Sequence, residues 1–341
     1  MKAMVLKKLC NLKQNQRPLE LMDMSVPIPC DREILVKISA CAVCHTELDE
    51  IEGRTAPPRL PVVPGHQVVG RVEAVGSKVN AIKTGDRVGV AWIFSACGRC
   101  KFCLAGTENL CPAFEATGRD ANGGYAQYMV VAEDFAYAIP DIFSDVQAAP
   151  LLCAGAIGFR SLRLTGLKDG QILGLTGFGA SAHLVLKMVQ HRYPHTKIYV
   201  FARSAKERAF VGELGAVWTG DVTERAPHQL DCIIDTTTAW EPVVAALANL
   251  ESGGRLVINA IRKEGDNRCL LNLDYPLHLW QEKELKSVAN ITRSDVKKFL
   301  SLAAKINLQP EVQLFALEQA NEALLELKAG KIRGAKVLKI D

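Results

Sequence analysis

The chain has 341 residues, 48% hydrophobic and 23% charged, with a formal net charge of +4. That balance describes a globular protein of about two domains with a sizeable core, and no block of like charge suggests a tail or a nucleic-acid patch. The start MKAMVLKKLC is too short and too interrupted for a signal-peptide core, and no run of about 18 apolar residues marks a membrane span. A soluble cytoplasmic protein is expected, without nucleic-acid or membrane partners.

The first 150 residues read as short strands and turns: EILVKISA, HQVVGRVEAVG and DRVGVAW are β-branched, glycine-bounded runs suited to a small barrel-like domain. Proline and glycine punctuate them, as in TAPPRLPVVPGH. From about residue 155 apolar runs (QILGLTG, KIYVFAR, LDCIIDTT, GRLVINA) alternate with helix-like ASAHLVLKMVQHR and SAKERAFVGELG. That alternation predicts a parallel, doubly wound sheet with helices on both faces. Two further helices, SDVKKFLSLAAKI and LEQANEALLELKAG, precede a strand-like GAKVLKI that is expected to return to the first domain.

The first strand of the second region runs straight into GFGASAH, where Gly177, Gly179 and Ala182 fit G-x-G-x-x-A. Gly177 allows a tight turn, Gly179 lets a pyrophosphate approach the backbone, and Ala182 permits close packing of helix on strand. A glycine-rich turn without a ligand is the bland alternative. The strand, the helix and the second strand that follow favour dinucleotide binding.

Eleven cysteines are an odd count in a chain far larger than disulfide scaffolds, so a tight cluster points to metal rather than to disulfides. Cys97, Cys100, Cys103 and Cys111 have spacings that let four thiolates converge on a tetrahedral zinc. Four protein ligands leave no open position, so such a site is structural. Cys44, His66 and Cys153 would instead leave a fourth position for water or substrate. Spacing alone does not select these three: Cys153 reads equally as a core thiol, Cys41 pairs with Cys44 as C-x-x-C, and His66 reads as a core histidine.

PGHQVVGRVEAVGSKV resembles the signature GHE-x2-G-x5-G-x2-V of the zinc-dependent medium-chain alcohol dehydrogenases. CHTELD is similar to that family's first-ligand segment, the four-cysteine run to its structural-zinc lobe, PLLCAGAIGFRSL to its third-ligand segment and EALLELKAGKIRGAKVL to its C-terminal closure. The resemblance spans essentially the whole chain in order. It implies an α/β protein: a GroES-like, β-rich catalytic domain (residues 1–153 and 291–341) around an inserted Rossmann domain (154–290).

The same resemblance implies two zinc ions, one catalytic on Cys44, His66 and Cys153 and one structural on the four clustered cysteines. Thr46 matches the hydroxyl that takes the alcohol proton, with Asp49 where many members place a relay histidine. Trp92, Ile93 and Phe114 are expected to line an apolar substrate pocket. His45, Gly177, Gly179, Ala182, Arg203, Ser204 and Arg333 are expected at the cofactor. Gln67 replaces the signature's glutamate, and Glu47 replaces an aspartate that orients the ligand histidine. The implied activity is hydride transfer between a nicotinamide cofactor and a primary aliphatic or aromatic alcohol or aldehyde, in a homo-oligomer.

KIYVFARSAKER bears on the cofactor. NAD sites place Asp or Glu at the end of the second strand to bind the ribose hydroxyls. Here that place reads Ala202, followed by Arg203 and Ser204, with Lys206 and Arg208 nearby, which favours NADP over NAD. Three rival readings are a zinc-free quinone or enoyl reductase of the same fold, a non-catalytic structural protein on a dehydrogenase scaffold, whose sign would be lost ligands at the open zinc site, and a zinc-knuckle nucleic-acid-binding protein. KFCLAGTENL, with one Lys and one Glu between the ligands, lacks the basic stripe the latter needs.

Overall fold

The computed structural model describes residues 1–330 and 334–341, so Arg333 lies outside the described residues. The chain divides into two compact units, Met1–Ala156 with Ile291–Asp341, and Ile157–Asn290. The helix Ala154–Thr165 runs through the first boundary.

The first unit is built on a seven-stranded sheet. Its centre is the strand Glu33–Ala42, which pairs antiparallel with Val68–Val75 and Tyr128–Ala132 and, at its far end, with the C-terminal strand Ala335–Lys339. EILVKISACA buries most of its residues rather than alternating, as a strand covered on both faces does, with Lys37 exposed. The final strand therefore does lie in the first unit, with Leu338 opposite Cys41. Val36, Ile38, Val68, Val88 and Leu338 belong to one apolar core. Each such buried side chain contributes roughly 2 kcal/mol of transfer free energy.

The second unit is a six-stranded parallel sheet. In chain order its strands are Ile172–Thr176, Lys197–Phe201, Trp218–Gly220, Leu230–Asp235, Leu250–Ile258 and Glu284–Ser287. Across the sheet they run third, second, first, fourth, fifth, sixth. That is the doubly wound order, and it places a reversal of winding between the first and fourth strands. ILGLT, KIYVF and LDCIID are almost continuously buried, as strands covered on both faces must be. The helix Ala205–Glu213 starts at Ser204, whose Oγ accepts from Glu207 N at 3.1 Å while Glu207 Oε2 accepts from Ser204 N at 3.3 Å. No helix among the described residues is long and apolar enough to cross a membrane.

Candidate active site

Where the central strand of the first unit ends, Val43 N donates to Lys336 O at 2.9 Å and the chain turns into the short helix His45–Ile51. Cys44 is the N-cap, with extended φ of −128°. Glu47, one turn in, accepts the Cys44 N–H on Oε2 at 2.7 Å and brings Oε1 to 2.6 Å from His66 Nδ1. The extra methylene relative to aspartate does not prevent that contact. His66 follows Gly65, whose φ is +101° and whose place admits no side chain: a Cβ there would lie 2.5 Å from the Tyr125 ring.

His66 Nε2, turned away from Glu47, lies 3.4 Å from Cys153 Sγ, and Cys44 Sγ lies 3.6 Å from Thr46 Oγ1. Cys153 arrives from a 3-10 turn, Ala149–Leu152. One donor atom from each of Cys44, His66 and Cys153 falls within 4.8 Å of the others. Cys41 is not among them; it is fully buried beside Gly65 and Gly124. Hydrogen bonds from Cys153 and His66 hold the Cys44 thiol well below the usual thiol range against the opposing effect of burial. Burial works against the His66 imidazolium, yet Glu47 and Cys44 raise it well above its ordinary value. The three donors, two sulfurs and one oriented imidazole nitrogen, suit zinc, and a set of three leaves an open position.

The four-cysteine run forms a second cluster, again with ligand atoms within 4.8 Å of one another. A single helical turn, Lys101–Leu104, is capped by Cys100 and carries Cys103. Cys100 Sγ lies 3.6 Å and Cys97 Sγ 3.9 Å from Cys103 Sγ. Backbone N–H groups of Arg99 and Cys100 hold Cys97 down to about 6, so the loop favours thiolate there. Burial, joined by the neighbouring thiols, pushes Cys103 up to about 12 in the absence of a cation. The donor set fits zinc with all four positions filled.

Thr46 is half-buried beside Cys44, and His45 is exposed at the first position of its helix. Asp49 is buried and takes Arg54 Nε on Oδ1 at 2.7 Å. Trp92 and Ile93 are buried, and the Trp92 and Phe114 rings meet at 5.2 Å. Sequence reading missed Arg119, whose guanidinium sits 5.7 Å from both ring centres while it pairs with Asp120 at 2.7 Å. It also missed Glu50, which is buried one turn beyond Glu47. Gln67 is buried as well.

In the second unit, Gly177 takes φ +77°, and a Cβ there would meet Thr236 Oγ1 at 2.9 Å. At Gly179 a Cβ would meet nothing within 4 Å, so the backbone that opens the helix Ala180–Arg192 faces free space. Ala182 is fully buried. That opening suits a pyrophosphate at a helix N-terminus. Ala202 is buried at the end of the second strand, and Arg203 is exposed. Arg208 is committed elsewhere: its Nη1 donates to Ala202 O at 2.7 Å and to Arg203 O at 3.0 Å.

A doubly wound sheet with a glycine turn, and a β-rich unit carrying two cysteine-rich clusters, define the class as medium-chain dehydrogenase. The family model for the alcohol dehydrogenase GroES-like domain matches residues 30–141. The chain is 42% identical over 328 residues to "Probable alcohol dehydrogenase AdhA" of Mycobacterium tuberculosis, covering 95% of this chain and 93% of that protein. An alcohol dehydrogenase of Geobacillus stearothermophilus is 32% identical, with 95% and 96% covered. Among solved structures, a CAD from Helicobacter pylori complexed with NADP(H) superposes with a TM-score of 0.85 at 22% identity, over 99% of this chain and 97% of that one. The chain belongs to the medium-chain alcohol dehydrogenase family of oxidoreductases.

Proposed function

We propose that this protein is a zinc-dependent alcohol dehydrogenase and aldehyde reductase that exchanges hydride between NADP(H) and a primary aliphatic or aromatic alcohol or aldehyde. The observation that carries the reading is the convergence of Cys44, His66 and Cys153 with the remaining His66 nitrogen already engaged by Glu47. When bound, zinc supplies a Lewis acid for the alcohol or carbonyl oxygen, and the nicotinamide supplies the hydride chemistry. Cys44, His66 and Cys153 hold the catalytic ion, and Glu47 fixes the imidazole so that Nε2 faces it. Thr46 Oγ1, 3.6 Å from Cys44 Sγ, is the hydroxyl placed to accept the alcohol proton. Trp92, Ile93 and Phe114 supply apolar surface that excludes water from the reacting oxygen. The second zinc, on Cys97, Cys100, Cys103 and Cys111, takes no part in the chemistry and braces its loop.

The nicotinamide cofactor is bound at the Gly177–Gly179 turn, with Arg203 at the 2′-phosphate. Eleven free cysteines agree with a reducing, cytoplasmic setting. A homo-oligomer is supported by the outer strand Glu284–Ser287, exposed throughout at the sheet edge with Leu285 46% exposed, and by the exposed apolar side chains Leu271, Tyr275 and Trp280 of the same unit.

The test is a panel of primary alcohols and aldehydes, assayed with both nicotinamide cofactors, alongside elemental analysis. Near two zinc ions per chain and turnover that disappears when the exchangeable one is removed are expected. Full turnover in metal-free protein, with quinones or enones preferred, would assign the chain to the zinc-free reductases instead.

A further inference from the structure

Glu50 is the least explained charged group in the first unit. It lies three residues after Glu47 on the helix His45–Ile51, and so on the same face. Its side chain is 1% exposed, and neither carboxyl oxygen has a hydrogen-bond partner among the described residues. Its backbone carbonyl accepts from Gly53 N at 3.2 Å, but among the described residues its side chain caps no helix and joins no ion pair. Left alone it is costly, because an ionised carboxylate out of water needs a cation or donors to replace its hydration.

The surroundings point to a cation. Burial first, then the charges of Glu47 and Cys44, push the Glu50 carboxyl well above the usual carboxylate range while His66 opposes them, so it is a cation held by Cys44, His66 and Cys153 that would favour its ionised form. Arg119 also acts on it, but that guanidinium is turned to Asp120 through Nε at 3.1 Å and Nη2 at 2.7 Å. Tyr125, fully buried nearby, likewise has a hydroxyl without a partner, so no phenol donor satisfies the carboxyl. The amide Gln67, adjacent to His66 and 3% exposed, brings no charge of its own.

We propose that Glu50 is a positioning carboxylate for the metal held by Cys44, His66 and Cys153, lending the site the negative charge that Gln67 does not supply. This rests on the zinc reading above. Glu50 is not a fourth ligand; its charge acts through space in a dry surrounding, where such an interaction is strong. The thiolates and Glu47, 2.6 Å from His66 Nδ1, already attract a dication, and a second carboxylate nearby adds to that attraction and slows loss of the ion.

Cobalt(II) alone is the probe, loaded into the exchangeable site of full-length protein that retains zinc on its four clustered cysteines. Affinity is read by competition with a chelator, following the thiolate-to-cobalt absorption. Three proteins are compared: wild type, Glu50→Gln, and Glu50→Gln with Gln67→Glu. Glu50→Gln is expected to weaken cobalt binding about tenfold, as loss of supporting groups at metal sites does. Its Tm without metal at that site should be unchanged or higher, since an unpartnered buried acid has gone. Restoring a carboxylate at position 67 should recover most of the affinity. Equal affinity in wild type and Glu50→Gln overturns the proposal. So does a weakening matched by a fall in the metal-free Tm, or one that Gln67→Glu leaves uncorrected, because either makes the role steric. A wild type with no thiolate-to-cobalt absorption overturns the zinc reading itself, an outcome distinct from the other three.

Discussion

Glu47 Oε1 lies 2.6 Å from His66 Nδ1, and both side chains are sealed from solvent. The carboxylate therefore settles which imidazole nitrogen is left for a metal, and its other oxygen fixes Cys44 through the backbone N–H. One side chain thus orients two of the three proposed zinc ligands. Glu47→Gln keeps the shape but loses the charge. It is expected to cost about ten- to a hundredfold in zinc affinity. Zinc content after dialysis against a chelator checks this, and full retention in the variant would leave the contact without that role.

The two cysteine clusters should respond differently to the same substitution. Cys44→Ser removes a ligand from the proposed open site and is expected to abolish hydride transfer with little change in Tm. Cys103→Ser opens the proposed closed site, and should lower Tm by several degrees while sparing much of the activity at low temperature. Matching losses of activity and of Tm in the two proteins would argue against separate roles.

Glu52 gives a pH-dependent contribution to stability. Its Oε1 accepts from Leu12 N at 3.1 Å and from Lys328, and Oε2 accepts from Arg54 at 2.6 Å. Partial burial works against the charge, but hydrogen bonds from Lys328, Arg54 and the Leu12 N–H hold its carboxyl down to about 2, from an ordinary 4.5. A depressed folded-state value stabilises fully above the ordinary one and is lost as pH falls towards 2. Glu52→Gln should therefore melt about 3 °C lower at pH 7. The gap should narrow only below pH 4.5, so thermal melts showing a constant gap down to the acid limit would contradict the assignment.

Much of this was readable in advance because buried parallel strands leave long apolar runs, and QILGLTG, KIYVFAR and LDCIIDTT mark the centre of the sheet. Its outer strand, ELKS, is exposed at every position and carries no such pattern. Cys153 was out of reach of spacing, since only the folding of the 149–152 turn against the first unit brings it to His66. The resemblance alone supplied it. Cys41 matched Cys44 equally well on the page, but the strand places it under Gly65, facing the core. Glu50 was hidden for another reason. HTELDEI has the look of a solvated acidic turn, and nothing in the order of its acids says that Glu47, Asp49 and Glu50 are all buried.

Thr46 offers a sharper test of the proton path than any other side chain near the proposed zinc ligands. Its Oγ1 stands beside Cys44, whereas the Asp49 carboxylate is tied to Arg54 at 2.7 Å. Thr46→Ala is expected to lower kcat roughly a hundredfold, and Thr46→Ser, which keeps the hydroxyl, to retain most of it. Equal rates in the two variants would show that the proton leaves by another group.

The proposed preference for NADP(H) rests on Arg203. At the end of the second strand Ala202 is buried and offers no carboxylate to the ribose hydroxyls, and the next exposed side chain is a guanidinium. Of the neighbouring cations, Arg208 spends its Nη1 on the Ala202 and Arg203 carbonyls and stands 3.5 Å from Asp221. Ser204 accepts from Glu207 N as the helix cap, though its own proton stays available to a phosphate. That makes Arg203 the proposed main determinant, supported by Lys206. The planar fork can engage a 2′-phosphate through two hydrogen bonds, which a ribose hydroxyl cannot match. Arg203→Ala should therefore lower kcat/KM for NADPH roughly tenfold or more while changing that for NADH little. Measuring both cofactors against one aldehyde settles the matter. A wild-type preference for NADH would refute the assignment outright, and an NADPH preference that survives Arg203→Ala would transfer it to Lys206 and the Ser204 cap.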